Sequence, residues 1–181
     1  MRRNGRVGKV IMELSKIFEE RYSVRSYLDT PVEDGKIDAL LEAMRIAPTG
    51  HNDQPQRVYV LKSEEAIAKV RACTKCAFNA PLVMMVCAEI DAAWRNRYSG
   101  RSAAETDAAI VTAYMMLKAQ DMGLSSCWVH HYDPQKLKAA FSLPEGVEPL
   151  NLLTVGYAAE DAEPLPMHFE SKSIEELAVI L

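Results

Sequence analysis

Residues 21–25 read Arg21-Tyr22-Ser23-Val24-Arg25, and residues 48–55 read Pro48-Thr49-Gly50-His51-Asn52-Asp53-Gln54-Pro55. The first stretch sets two guanidinium groups and a hydroxyl at alternate positions. In an extended segment residues i, i+2 and i+4 project to one side. Arg21, Ser23 and Arg25 therefore converge on one phosphate, a group that Arg grips through its planar donor fork. The second stretch sets short polar side chains between two prolines, which suits a fixed loop hydrogen-bonding a flat polar ring. A stretch of apparent helix separates the two. A phosphate at one end and a polar ring at the other describe flavin mononucleotide. Each motif is weak alone, and Arg-x-Ser-x-Arg by itself reads better as a solvated charged strand.

The chain around these stretches has 181 residues, 49% hydrophobic and 25% charged. A single domain of that length buries about 70% of its unfolded surface. The formal net charge of −4 argues against a general binder of nucleic acid or acidic membranes, which needs a basic surface. Basic residues gather only near the start, at Arg2, Arg3, Arg6, Lys9, Lys16, Arg21 and Arg25. The longest apolar run, Ala80 to Ala88, is far short of the roughly 20 residues that span a bilayer. No apolar signal-peptide core follows the basic start. Residues 1–11 read as a disordered leader before a single domain at 12–181, and the protein as cytoplasmic.

Outward from the two motifs the chain alternates helices and strands. A helix fits residues 13–20, with Leu14, Ile17 and Phe18 on one face. Thr30 as N-cap, Pro31 at N1 and Glu33 as a capping box open the next helix, which ends near Pro48. Val58 to Leu61 reads as a strand, and Ser63 caps a helix to about Ala72. The continuous apolar run Leu82 to Ala88 reads as a central strand. Ser102 and Glu105 form a second capping box. The helix they open stops at Gly123, a C′ residue. Its body from Ala108 to Leu117 is apolar nearly all round, so it is buried on several sides, at the centre of the fold or against a second subunit. Ser126 to His131 is a strand, Asp133-Pro134 opens a helix through Phe141, and Leu150 to Tyr157 is the last strand. Ser173 caps a C-terminal helix. This order gives no regular βαβ repeat, and the expected fold is a mixed-sheet α/β (α+β) sandwich.

Several chemistries lack their motifs. There is no glycine-rich phosphate loop, so a nucleotide must be held by side chains and loop backbone. Nucleophile elbows and H-E-x-x-H are absent too. Cys73-Thr74-Lys75-Cys76 is a C-x-x-C, which reads as half a zinc site, a redox pair or packing thiols. Cys87 and Cys127 form no second pair of the kind a tetrahedral zinc site needs. Packing thiols are the favoured reading, and no metal is expected.

Taken in order, the motifs resemble the nitroreductase family of FMN-dependent oxidoreductases. The resemblance runs from about Met12 to Leu181. After the two opening stretches come Asn79-Ala80-Pro81, Asp107-Ala108-Ala109, and Gly123-Leu124-Ser125-Ser126-Cys127-Trp128-Val129. Gly156-Tyr157 and His168 through Glu176 complete it. It implies a homodimer with FMN at the interface. Arg21, Ser23 and Arg25, with Tyr22 in the same segment, would hold the phosphate and ribityl chain. Pro48, Thr49, Gly50 and Asn52 would reach from the other subunit to the ring, with Gln54 in the same loop. Trp128, Val129, His130 and His131 would lie along the ring, and Lys172 would add a cation at the phosphate.

Two departures matter. The family's usual Arg-Lys-Pro is here Ser171-Lys172-Ser173, which removes one phosphate contact. The adjacent His130 and His131 stand where relatives often have a small or acidic residue, and either tune the flavin or are ordinary strand-end residues. His51 reads first as a loop histidine and second as a substrate contact. The segment Ile90 to Ser102, with Trp94, Arg95, Arg97 and Tyr98, either covers the site or is a solvated loop.

The implied chemistry is ping-pong hydride transfer from NADH or NADPH through flavin to an electron-poor small molecule such as a nitroaromatic or quinone. It names no side chain as acid or base. Two alternatives stay open: a non-catalytic or flavin-processing protein on the same scaffold, and a thiol redox protein using Cys73 and Cys76.

Overall fold

The computed structural model describes residues 14–181, and the expected leader at 1–11 lies outside the described residues. The helices are α1 Leu14–Glu20, α2 Asp34–Ile46, α3 Glu64–Cys73, α4 Ala104–Asp121, α5 Pro134–Phe141 and α6 Ile174–Leu177. The strands are β1 Gln56–Leu61, β2 Leu82–Glu89, β3 Ser125–Val129 and β4 Val147–Gly156. They form one sheet in the order β1-β2-β4-β3. Every pairing between named strands is antiparallel. The parallel contribution is a single bridge, Ser23 with Ser126.

The apolar run 82–88 is central because both of its faces are covered. Side chains alternate across a strand. Leu82, Met84 and Val86 meet Ile37 and Leu40 of α2 and Val111 and Met115 of α4. Val83, Met85 and Cys87 meet Ile67 and Val70 of α3 and Leu137 of α5. Helices thus flank both faces, as the expected sandwich requires. α4 ends in a Schellman closure: the Gly123 N–H donates to Gln120 and the Leu124 N–H to Ala119, with Gly123 at φ +72.

Several expected boundaries move. α2 starts at Asp34, and Glu33 makes no side-chain cap bond. Its carboxylate instead accepts from the Tyr157 hydroxyl, at 2.8 and 2.7 Å to its two oxygens. α4 starts at Ala104 without the expected box: Ser102 is bridged to Arg95, and its Oγ accepts from the Ala104 N–H at 3.2 Å. β3 stops at Val129, so His130 and His131 lie beyond the strand, where the chain turns to bring Asp133 to the start of α5. β4 begins earlier than expected, before Pro149. A register shift lies between Val86 and Cys87, with Cys87 opposite Pro149, and such an irregularity is where a sheet admits proline. The Ser63, Asp133 and Ser173 caps form as expected.

Candidate functional site

The chain leaves α1 extended. The Val24 N–H donates to the Ser126 carbonyl at 3.1 Å, and the Val24 side chain is buried. Arg21 and Ser23 are half-buried and Arg25 is exposed, and the buried Cys127 thiol lies within their electrostatic reach. Burial pushes that thiol's pKa up, while Arg25, the Ser23 hydroxyl and Arg21 pull it down. Arg25 Nη1 also donates to the Ser23 carbonyl at 3.0 Å. Among the described residues no carboxylate pairs with Arg21 or Arg25. Tyr22 serves packing: its hydroxyl donates to Ala162 at 2.9 Å and its ring meets His168 edge-on at 6.2 Å. Lys172 is exposed beyond that contact.

Two cations extend this edge that the sequence reading missed. A cleft of about 450 Å³ beside Arg25 is lined by Arg71, Lys75, Thr74 and Asn79, with no carboxylate in its wall. Both cations come from the end of α3 and the turn after it, and no local pattern says which way that end faces. A larger cleft of about 640 Å³ lies between α2 and α3. Asp29, Glu33, Asp34 and Glu64 stand in its wall, so it is a poor seat for a phosphate.

The loop 48–54 is built as a rigid polar ledge. His51, Asn52 and Gln54 all have positive φ, at 54, 59 and 50, a conformation that costs an L-residue about 1–2 kcal/mol. The Gln54 N–H donates to Thr49 Oγ1 at 3.1 Å, and His51 Nδ1 lies 3.0 Å from Asp53 Oδ1. Gly50 anchors the ledge: its N–H donates to Asp107 Oδ1 in α4 at 2.8 Å. A Cβ at Gly50 would sit 3.2 Å from the Cβ atoms of both Ala103 and Trp94. The segment 90–102 thus packs against this ledge through Trp94. Pro48, Asn52 and Gln54 stay exposed.

The segment 128–131 lies across α4 from that ledge. Trp128 Nε1 donates to Asn151 Oδ1 at 2.9 Å. Asn151 Nδ2 donates to Thr112 Oγ1 at 3.1 Å, and Thr112 donates to the Ala108 carbonyl at 2.7 Å. Asn151 and Thr112 are buried, so this satisfied relay fixes the indole. His130 stacks on the indole at 5.8 Å between centroids and 19° between planes. A cleft of about 470 Å³ joins His130 to Glu105 and Ala109 of α4. Val129 is buried, and the His131 carbonyl accepts from Thr74 Oγ1 at 2.5 Å. On a helix, Asp107 sits about 200° from Glu105. The Gly50 contact and the His130 cleft therefore meet α4 on opposite sides.

The cysteines do not assemble a second site. All four are free thiols. Burial pushes the Cys73 thiol up, and Cys87 up to about 12. Among the described residues no group of three or more His, Cys, Asp or Glu is placed to hold a metal ion. Nor is any helix there long and apolar enough to cross a membrane.

Comparison with known proteins returns one family. The model of the nitroreductase family matches residues 18–79 and 71–157. An NADH dehydrogenase of Thermus thermophilus is 25% identical, over 80% of this chain and 86% of its own. An FMN reductase (NAD(P)H) of Bacillus subtilis is 25% identical, over 85% of this chain and 69% of its own. A crystal structure of a nitroreductase family protein from Clostridium difficile is 36% identical, covers 93% of this chain and 98% of that one, and superposes with a TM-score of 0.87. A protein described as a nitroreductase from Exiguobacterium sibiricum, solved in complex with FMN, shares the fold at 19% identity. Its TM-score is 0.82 over 94% of this chain and 98% of its own.

Proposed function

Because this chain belongs to the nitroreductase family, we propose that it is an NAD(P)H-dependent FMN oxidoreductase working by ping-pong exchange. An electron-poor small molecule, such as a nitroaromatic or a quinone, is the final acceptor. The names of its relatives, NADH dehydrogenase and FMN reductase (NAD(P)H), and an FMN complex on the same fold support this reading. The observation that carries it is the cation set. Arg21 and Arg25 flank Ser23 in one extended segment, Arg71 and Lys75 line the cleft beside Arg25, and no carboxylate neutralises Arg21 or Arg25 among the described residues. Unpaired guanidinium groups of this kind suit a phosphate monoester.

FMN, when bound, supplies the hydride chemistry. The protein's part is to bind and orient. Arg21, Ser23 and Arg25 hold the phosphate and ribityl chain, with Tyr22 packing behind them and Lys172 adding charge from the tail. Trp128, Val129, His130 and His131 present backbone and a fixed indole along the ring. Pro48, Thr49, Gly50, Asn52 and Gln54 form a ledge that closes the site from a second copy of the chain. The meeting of the Gly50 contact and the His130 cleft with opposite sides of α4 supports that division. No side chain is assigned as general acid or base.

The purified protein tests this. It is expected to carry or take up one FMN per chain and to bleach anaerobically with NADH or NADPH. A colourless protein that binds no FMN in titration sinks the proposal. A thiol mechanism predicts activity that survives FMN removal and is lost in Cys76→Ser.

A further inference from the structure

Asp107 is an anomaly. It is a carboxylate only 2% exposed, in the first turn of the most buried helix. One oxygen, Oδ1, accepts the Gly50 N–H at 2.8 Å. The other, Oδ2, has no hydrogen-bond partner among the described residues. Leaving a buried carboxylate half-satisfied is costly, and the helix alone does not require it, because Glu105 already places a charge in the same turn. The one side-chain bond Asp107 makes among the described residues runs to the ledge. That ledge has three residues in left-handed conformations, and its internal bonds are the Thr49 hydroxyl, the His51–Asp53 pair, the Gln54 amide on the Asn52 carbonyl and short turns.

We propose that Asp107 is a positioning residue whose Oδ1 sets the height of the 48–54 ledge over α4, and through it the ability of Thr49, Gly50 and Asn52 to engage a flavin. The proposal rests on the FMN reading above. Gly50 completes the device. A side chain there would press on Ala103 and Trp94 at 3.2 Å and lift the amide from the carboxylate. The ledge is then tied to α4 by one hydrogen bond among the described residues, beside the close approach of Gly50 to Ala103 and Trp94. The function asks of Asp107 only an acceptor at Oδ1, not a negative charge. A neutral side chain that keeps the acceptor therefore suffices.

Three variants decide it: Asp107→Asn, which keeps the acceptor; Asp107→Ala; and Asp107→Leu, close in shape, which keeps the fold testable if the alanine cavity unfolds the chain. Two quantities are read. Amide exchange of Gly50 is measured by NMR in protein without flavin, and FMN affinity by fluorescence titration. In the alanine or leucine variant, Gly50 exchange is expected to rise and FMN affinity to fall, each by about tenfold, while amides in β2 and β4 stay protected. Asp107→Asn is expected to stay within about threefold of wild type in both. Wild-type exchange and affinity in Asp107→Leu overturn the proposal. So does an asparagine variant as impaired as leucine, since charge rather than the acceptor would then matter. Wild-type protein that binds no FMN sinks the flavin reading instead, and the Gly50 exchange still shows whether the tie exists.

Discussion

Arg25 shows how little a side chain's own contacts say about its role. It is exposed, and its one side-chain hydrogen bond among the described residues, at 3.0 Å, goes to a carbonyl two residues away, so removing it should hardly touch stability. Its expected effect is on FMN. A hydrogen bond to a charged group contributes about 1.5–3 kcal/mol, so Arg25→Ala is expected to weaken FMN by about ten- to a hundredfold. Titration at moderate salt checks this, and an unchanged dissociation constant removes Arg25 from the phosphate site. Glu33 supplies a pH effect of known sign. The Tyr157 hydroxyl, before any other cause, holds its carboxyl below the usual range. A depressed carboxylate stabilises the fold above its unfolded pKa, and that contribution is lost as pH falls through the folded value. Stability should therefore decline on acidification below about pH 4.5, and the decline should be shallower in Tyr157→Phe. Urea midpoints across that range measure it, and identical slopes in the two proteins refute it. The alternation of Arg21, Ser23 and Arg25 was legible in the sequence, because strand periodicity is local. The engagement of Glu33 by a residue 124 positions away was not.

Among the elements, α4 and β4 depend on a polar contact inside an apolar interface. Thr112 and Asn151 join them at 3.1 Å, with both side chains buried. Thr112→Val keeps the shape and removes the acceptor, which leaves Asn151 Nδ2 unpaired. A buried unsatisfied donor costs about 1–3 kcal/mol. A fall of that size in unfolding free energy is expected by denaturant titration, with altered Trp128 fluorescence because the indole hangs on the same asparagine. No loss would mean that Asn151 finds another acceptor. The elements themselves were largely readable: caps at Ser63, Asp133 and Ser173, the glycine stop after α4 and the apolar β2 are short-range signals. The misplaced starts of α2 and α4 have different causes. At α2 the Glu33 carboxylate is held by Tyr157, distant in sequence, so tertiary contact overrides the local motif; at α4 the Ser102 hydroxyl accepts from Ala104, two residues on, in place of the box.

At the scale of the molecule the question is the second chain. The apolar body of α4, Ala108 to Leu117, reads in the sequence as lying at the centre of the fold or against a second subunit. Met115 lies wholly within the chain's own core, so a charge there would unfold the subunit. Tyr114 is 40% exposed, and Leu14 and Phe18 of α1, which packs on α4, are 59% and 56% exposed. Ile174, Leu177, Val179 and Ile180 are more exposed still. A contiguous apolar patch marks an interaction surface, and under the proposed function a second copy of the chain would cover these residues. FMN and dimerisation should then strengthen each other. Sedimentation across a dilution series is expected to show tighter association with FMN, and weaker association in Tyr114→Glu with its fold retained. A folded monomer that binds FMN as tightly as wild type refutes this. From its residues alone the sequence determined the helices, the strands, the central apolar strand and the alternation of Arg21, Ser23 and Arg25, all of which rest on neighbours within a few positions. Only the tertiary structure decided that Arg71 and Lys75 line the cleft beside Arg25, that Asp107 ties the ledge to α4, and that the Gly50 contact and the His130 cleft meet α4 on opposite sides. Those relations depend on the direction in which packed elements face one another, and burial of the whole core fixes that direction rather than any stretch of chain.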